Sequence, residues 1–145
     1  MIKNIKLKNS VIAYDPGELI DKLTILQIKE IKLPKSKANF NEGIKKIIKD
    51  INKYLNGNID IKLINYVIIL SQINLYIWNL REQIYKESKM DKKKLKLSHQ
   101  LNAIRNIAKN KISKILYKQK NKPINYRTNV DLEDLKNWNF SALND

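Results

Sequence analysis

The chain has 145 residues, no cysteine and a formal charge of +15. That length suits one domain with a single core, and the missing thiols exclude a disulfide framework and thiolate metal sites, as in a cytoplasmic protein. A charge of this size ordinarily points to nucleic acid, yet 26 of the 29 cations are lysine, whereas proteins that read bases or clamp phosphates lean on the arginine fork.

Residues 1–14 alternate weakly and are expected to form an extended arm or short strand; residues 1–8 lack the apolar run and cleavage site of a secretory leader. Asp15, Pro16 and Glu18 then spell a helix start, with a capping side chain, a proline in the first turn and a carboxylate three residues after the cap. The first helix is predicted over 16–33, stopped by Pro34. Leu19, Ile20, Leu23, Leu26, Ile28 and Ile31 share its apolar arc. Gln27 and Glu30 fall inside that arc and would need partners there, while Glu18 and Lys22 are spaced to pair across one turn.

A second helix is predicted over 36–56 from Phe40, Ile44, Ile47, Ile48, Ile51 and Leu55, with Gly57 as its stop. Lys45, Lys46, Lys49 and Lys53 occupy its other face. The third, over 61–89, carries no charge between residues 63 and 80, a length that approaches a membrane span. Asn65, Ser71, Gln72, Asn74 and Asn79 scatter around it, so it reads instead as the central helix of a bundle, and no span is expected. The fourth starts near Met90 or Asp91 and runs to about 118, with Leu97, Leu101, Ile104, Ala108, Ile112 and Ile115 as its seam. Residues 119–145 form an irregular tail whose Trp138, Phe140 and Leu143 are too apolar to stay in water and should dock. The fold class is therefore all-α: one domain, a bundle of about four helices over 16–118 with a long central hairpin.

Chemistry is sparse. His99 is the sole histidine and has no acidic pair at ligand spacing, so neither metal nor cofactor is expected. The three glycines lie far apart and build no phosphate loop, and no nucleophile elbow or zinc-helix motif occurs. Ile, Lys and Asn, all with A- and T-rich codons, make up 69 of the residues. Much of the positive charge then reads as drift on solvated faces, and the rare Arg81, Arg105 and Arg127 stand out. For Arg81 an ion pair with Glu82 or Glu87 is the favoured role. Trp78, Tyr66, Tyr76 and Tyr85 read as core aromatics of the third helix.

Eleven consecutive residues, Pro16-Gly17-Glu18-Leu19-Ile20-Asp21-Lys22-Leu23-Thr24-Ile25-Leu26, followed by Ile28-Lys29, resemble a bacterial domain family of unknown function with a PGELIDKLTILEIK-like signature. The likeness continues in Lys37-Ala38-Asn39, in Trp78, Glu82 and Ile84, and in Leu101-Asn102, Arg105, Lys109 and Ile112, where the family has an LNDRRAALKREIN-like run. It departs from the family at Arg81, Tyr85, Ala103 and Ile104. The resemblance implies no established activity. It implies that Glu18, Asp21 and Lys22 exceed what capping needs, and it associates the chain with genes of glycosyltransferases and cell-surface polysaccharides.

The leading expectation is a small helical binding or accessory module that takes a protein partner or an anionic small molecule. Glu18, Asp21 and Lys22 would face Asn102 and Arg105 across the bundle. The alternative is an enzyme acting on a phosphorylated sugar or nucleotide, with Glu18 or Asp21 as base and Lys22 with Arg105 as anion clamp. Non-specific nucleic-acid binding through the lysine faces is the second alternative.

Overall fold

A computed structural model describes residues 15–55, 57, 59–117, 128 and 130–144. The expected arm over 1–14, Arg127 and residues 119–127 of the tail lie outside the described residues. Four helices form the bundle: α1 (Pro16–Lys32), α2 (Lys37–Asn52), α3 (Ile61–Lys86) and α4 (Lys92–Leu116), with no strand among the described residues.

Local chemistry sets three of the starts. The Asp15 carboxylate accepts the Glu18 amide at 3.0 Å with Pro16 in the first turn, Asp60 accepts the Lys62 amide at 2.8 Å, and Asp91 accepts the amides of Lys93 and Lys94. Each carboxylate satisfies amides that have no partner within the helix and sits at the positive end of its dipole. α1 closes with the Leu33 amide on the Lys29 carbonyl at 2.8 Å, and a 3₁₀ turn at Pro34–Ser36 leads straight into α2. α2 ends at Asn52 and α3 at Lys86, short of the expected 56 and 89.

α3 and α4 form the long central hairpin, and α1 lies across both while α2 packs on α1. Leu70, Ile73, Leu101 and Ile112 are wholly shielded from water at the centre of the core, each contributing about 1.5–3 kcal/mol by burial. The tail ends in two 3₁₀ turns, Lys136–Trp138 and Ser141–Leu143, and docks as expected: Leu143 is buried against α3 and α4, and Trp138 meets Tyr76 edge-on at 4.6 Å.

The inward face of α1 differs from the expected arc. Leu19, Ile20, Thr24 and Ile28 are buried together with Asp21, while Ile31 is 80% exposed and Gln27 is exposed too. The helix is rotated so that a carboxylate, and not the full row of aliphatics, looks into the bundle. Gln27 therefore needs no interior partner. Tyr85 is also corrected: it is exposed, and of the third-helix aromatics only Tyr66 is buried. α3 is the one helix among the described residues long and apolar enough to cross a membrane, and eight of its residues are buried inside the bundle.

Candidate functional site

α1 runs antiparallel to α4, and polar side chains join the two at successive turns. At the first turn the Gly17 amide donates to Ser113 Oγ at 3.1 Å, and the Ser113 hydroxyl donates to Asp15 Oδ2 at 2.7 Å. One turn on, Lys109 donates to Glu18 Oε2 at 2.6 Å and lies 3.8 Å from Asp21 Oδ2; its side chain is only 6% exposed. Next, Arg105 grips Asp21 with both arms of its fork, Nε donating to Oδ1 at 2.8 Å and Nη2 to Oδ2. The planar guanidinium fits the planar carboxylate, which a lysine ammonium could not do.

α3 completes the shell. Asn74 donates through Nδ2 to Asp21 Oδ1 at 2.8 Å and to Thr24 Oγ1 at 2.7 Å, while the Thr24 hydroxyl donates to the Asp21 carbonyl at 2.8 Å. Asp21 is wholly buried and each of its carboxylate oxygens accepts a hydrogen bond, the condition for a charge to stay in a low-dielectric interior. Burial pulls the Arg105 guanidinium down, but the hydrogen bonds and charge of Asp21, helped by Glu18, outweigh it and hold the group above the ordinary arginine value.

The five candidate residues thus lie along one α1–α4 contact in different roles. Asp21 and Arg105 pair directly, and Asn102 accepts from Arg105 Nη1 at 3.3 Å while donating to the Ser98 carbonyl at 3.0 Å. Glu18 pairs with Lys109. Lys22 stays at the edge, 43% exposed and 4.0 Å from Glu18 Oε1. Asp15, Glu18 and Asp21 are balanced in number by Lys22, Arg105 and Lys109. The network is neutral.

Lys109, Ser113, Asn74 and Thr24 were not among the expected site residues. For the two on α4 the signal was present: Ser98, Asn102, Arg105, Lys109 and Ser113 recur at helical spacing on a single face of that helix. The expected pairing of Arg81 is not formed among the described residues. Glu82 accepts from Trp78 Nε1 at 3.1 Å and lies 3.9 Å from Lys32, and Glu87 pairs with Lys94. His99 is exposed, and no group of three or more potential metal ligands occurs among the described residues.

A hollow of about 270 Å³ lies away from the network, between α4 and the tail, lined by Ile104, Ile107, Leu132, Trp138 and Phe140 among others. The outward face of α3 is a different kind of surface. Ile64, Ile68, Leu75 and Tyr76 are between 42% and 50% exposed there, with Asn65 and Gln72 between them. Comparison with protein-family models, with curated proteins and with solved structures finds no match for this chain.

Proposed function

We propose that this chain is a non-catalytic helical binding module that works through a protein partner docked on the open face of α3, the α1–α4 network serving as the latch that fixes the bundle's shape. One observation carries the reading: in a chain with a charge of +15, residues 63–80 bear none, yet aliphatic side chains of that stretch face water. Solvated helix faces ordinarily hold charge, and an uncharged row of aliphatics is what the centre of a protein interface presents. The latch supports the non-catalytic half. Asp21 is enclosed and engaged on both oxygens, so it has no route to a substrate proton. The resemblance noted for the α1 signature links such a module to the machinery of cell-surface glycan assembly.

The test is a photo-crosslinking amino acid placed in cells at Ile68, with Lys46 on α2 as control. The reading expects protein adducts from position 68 and none from 46; equal yields from both overturn it. A second reading, an anionic small molecule such as a phosphosugar, draws on Arg105 and Lys22, which are 21% and 43% exposed at the same edge. It expects sugar phosphates to raise the melting temperature of the wild type and not of Lys22→Ala.

A further inference from the structure

We propose that the occupant of the open α3 face is a second copy of this chain, the two α3 helices packing antiparallel about a two-fold axis. This rests on the reading of that face as a protein-binding surface and names what it binds. Ile61, Ile68 and Leu75 recur every seven residues, and Ile64 and Ser71 fall at the intermediate positions of the same heptad. That is the spacing at which two helices interlock side chains along a seam. Ile61 is 74% exposed, Ile68 50%, and Ile64 and Leu75 43% each, so the seam is open over several turns.

The pattern is complementary to itself in one direction only. An antiparallel register that sets Ile64 of one copy against Leu75 of the other also sets Ile68 against Ser71, and the symmetry axis makes each contact twice. Ser71 is small enough to admit Ile68, and its hydroxyl is already engaged on the Val67 carbonyl at 2.9 Å. The same register brings Asp60, at the start of α3, toward Arg81 of the second copy near its end. Both residues directly precede a first position of the heptad, where paired helices make their charged cross-contacts. Arg81 is exposed and makes no ion pair among the described residues, so it is placed for that contact. On the opposite flank Asn65 of each copy meets Gln72 of the other, amides able to pair with amides. A parallel pairing would instead set Arg81 against Lys86 of the second copy and leave Asp60 facing Asn65.

Charge also selects a second copy over an acidic partner. An acidic protein is drawn to the lysine faces, such as Lys45, Lys46, Lys49 and Lys53, and gains nothing from a surface without charge. Two copies bearing +15 each repel everywhere except where charge is missing. Such a dimer must tighten as salt screens the repulsion, the opposite of an acidic complex.

Sedimentation of the purified full chain tests this. A monomer–dimer equilibrium is expected whose dissociation constant falls by about threefold or more between about 50 and about 500 mM salt. Ile68→Lys should weaken the dimer by about tenfold or more, which corresponds to losing one well-buried apolar contact. Arg81→Asp should weaken it by about threefold, and adding Asp60→Arg should recover that loss. Because Asp60 also caps α3, circular dichroism is followed on each variant, and Arg81→Asp and Ile68→Lys stand without it. A chain that stays monomeric, a dimer that loosens with salt, or one indifferent to Ile68→Lys overturns the inference. If the crosslinker at position 68 captures another protein in cells while the purified chain is monomeric, the second copy falls and the binding reading stands. Absence of any adduct in either setting removes both.

Discussion

Asp21 and Arg105 stand 84 residues apart in the chain and meet as a two-armed ion pair, the carboxylate wholly enclosed and the guanidinium 21% exposed at the α1–α4 edge. The pair couples the first helix to the last, and its energetics are asymmetric. Forming it costs two desolvations that the contact roughly offsets, whereas breaking it strands a buried charge. Arg105→Ala should therefore destabilise the fold by about 3–5 kcal/mol in urea unfolding. Arg105→Met combined with Asp21→Asn should cost less than Arg105→Met alone. A loss below about 1 kcal/mol for Arg105→Ala would remove the pair from its role as latch.

The parts of the fold set by neighbours in sequence were legible: the α1 start from Asp15, Pro16 and Glu18, its stop before Pro34, and the Asp91 start of α4. So was the central place of α3, because a stretch of 18 uncharged residues has few other homes in a bundle. The partners within the network were not. Glu18 meets Lys109, and Asp21 takes Asn74 as well as Arg105, because α1 is rotated about its axis by contacts with two other helices at once. Counting aliphatics at 100° per residue placed Ile31 in the apolar arc and left Asp21 out of it. A carboxylate with three donors from two helices outcompeted an isoleucine for the interior, and no single-helix periodicity contains that information.

Two glycines should respond to alanine with opposite sign. A Cβ on Gly17 would sit 2.5 Å from the Lys109 carbonyl and against Ser113 Oγ, with Asp15 Oδ2 at 3.0 Å. Backbone cannot yield there without parting α1 from α4, so Gly17→Ala should cost about 1–3 kcal/mol. On Gly43 the nearest atom is the Leu26 Cδ1 methyl at 3.2 Å, the end of a flexible side chain. Gly43→Ala in the α2 interior should raise stability by about 0.5–1 kcal/mol through reduced chain entropy. Thermal melts decide it: a Gly17→Ala variant that melts no lower than wild type would refute the close approach at Gly17, and a Gly43→Ala variant that melts lower would refute the room at Gly43.

The tail should release in acid. Asp134 is held below its ordinary value of 3.8, first by its hydrogen bond from Lys96 and then by that from Gln100. A lowered carboxylate adds stability that is present above the unfolded value and lost as pH falls through the folded one, so the change belongs below pH 3.8. Trp138 on the tail reports the event by fluorescence in a Trp78→Phe background. Asp134→Asn should already show the loosened signal at neutral pH and lose the acid step. A step of unchanged size in that variant would assign the release to another carboxylate.

An alkaline limit arises at the other end of the network. Tyr117 meets Tyr54 edge-on at 5.8 Å where α4 ends, and its phenol is raised above 10.0, first by burial and then by the nearby Asp15 charge. The fold thus favours the neutral phenol, while the unfolded chain releases its proton near 10. The contribution of Tyr117 is constant below about pH 10 and declines as pH rises from there through the folded value, because the native state binds the proton longer. Tyr117→Phe should therefore show a constant stability difference from wild type up to about pH 10. Above that, the wild type should lose ground to the variant. The measurement is a series of chemical denaturations from neutral to alkaline pH, and parallel curves throughout would mean that Tyr117 titrates as it does in the unfolded chain. Asp15→Asn provides the partner experiment: with the carboxylate charge gone, the alkaline divergence should shrink and leave the part that burial and Tyr54 cause.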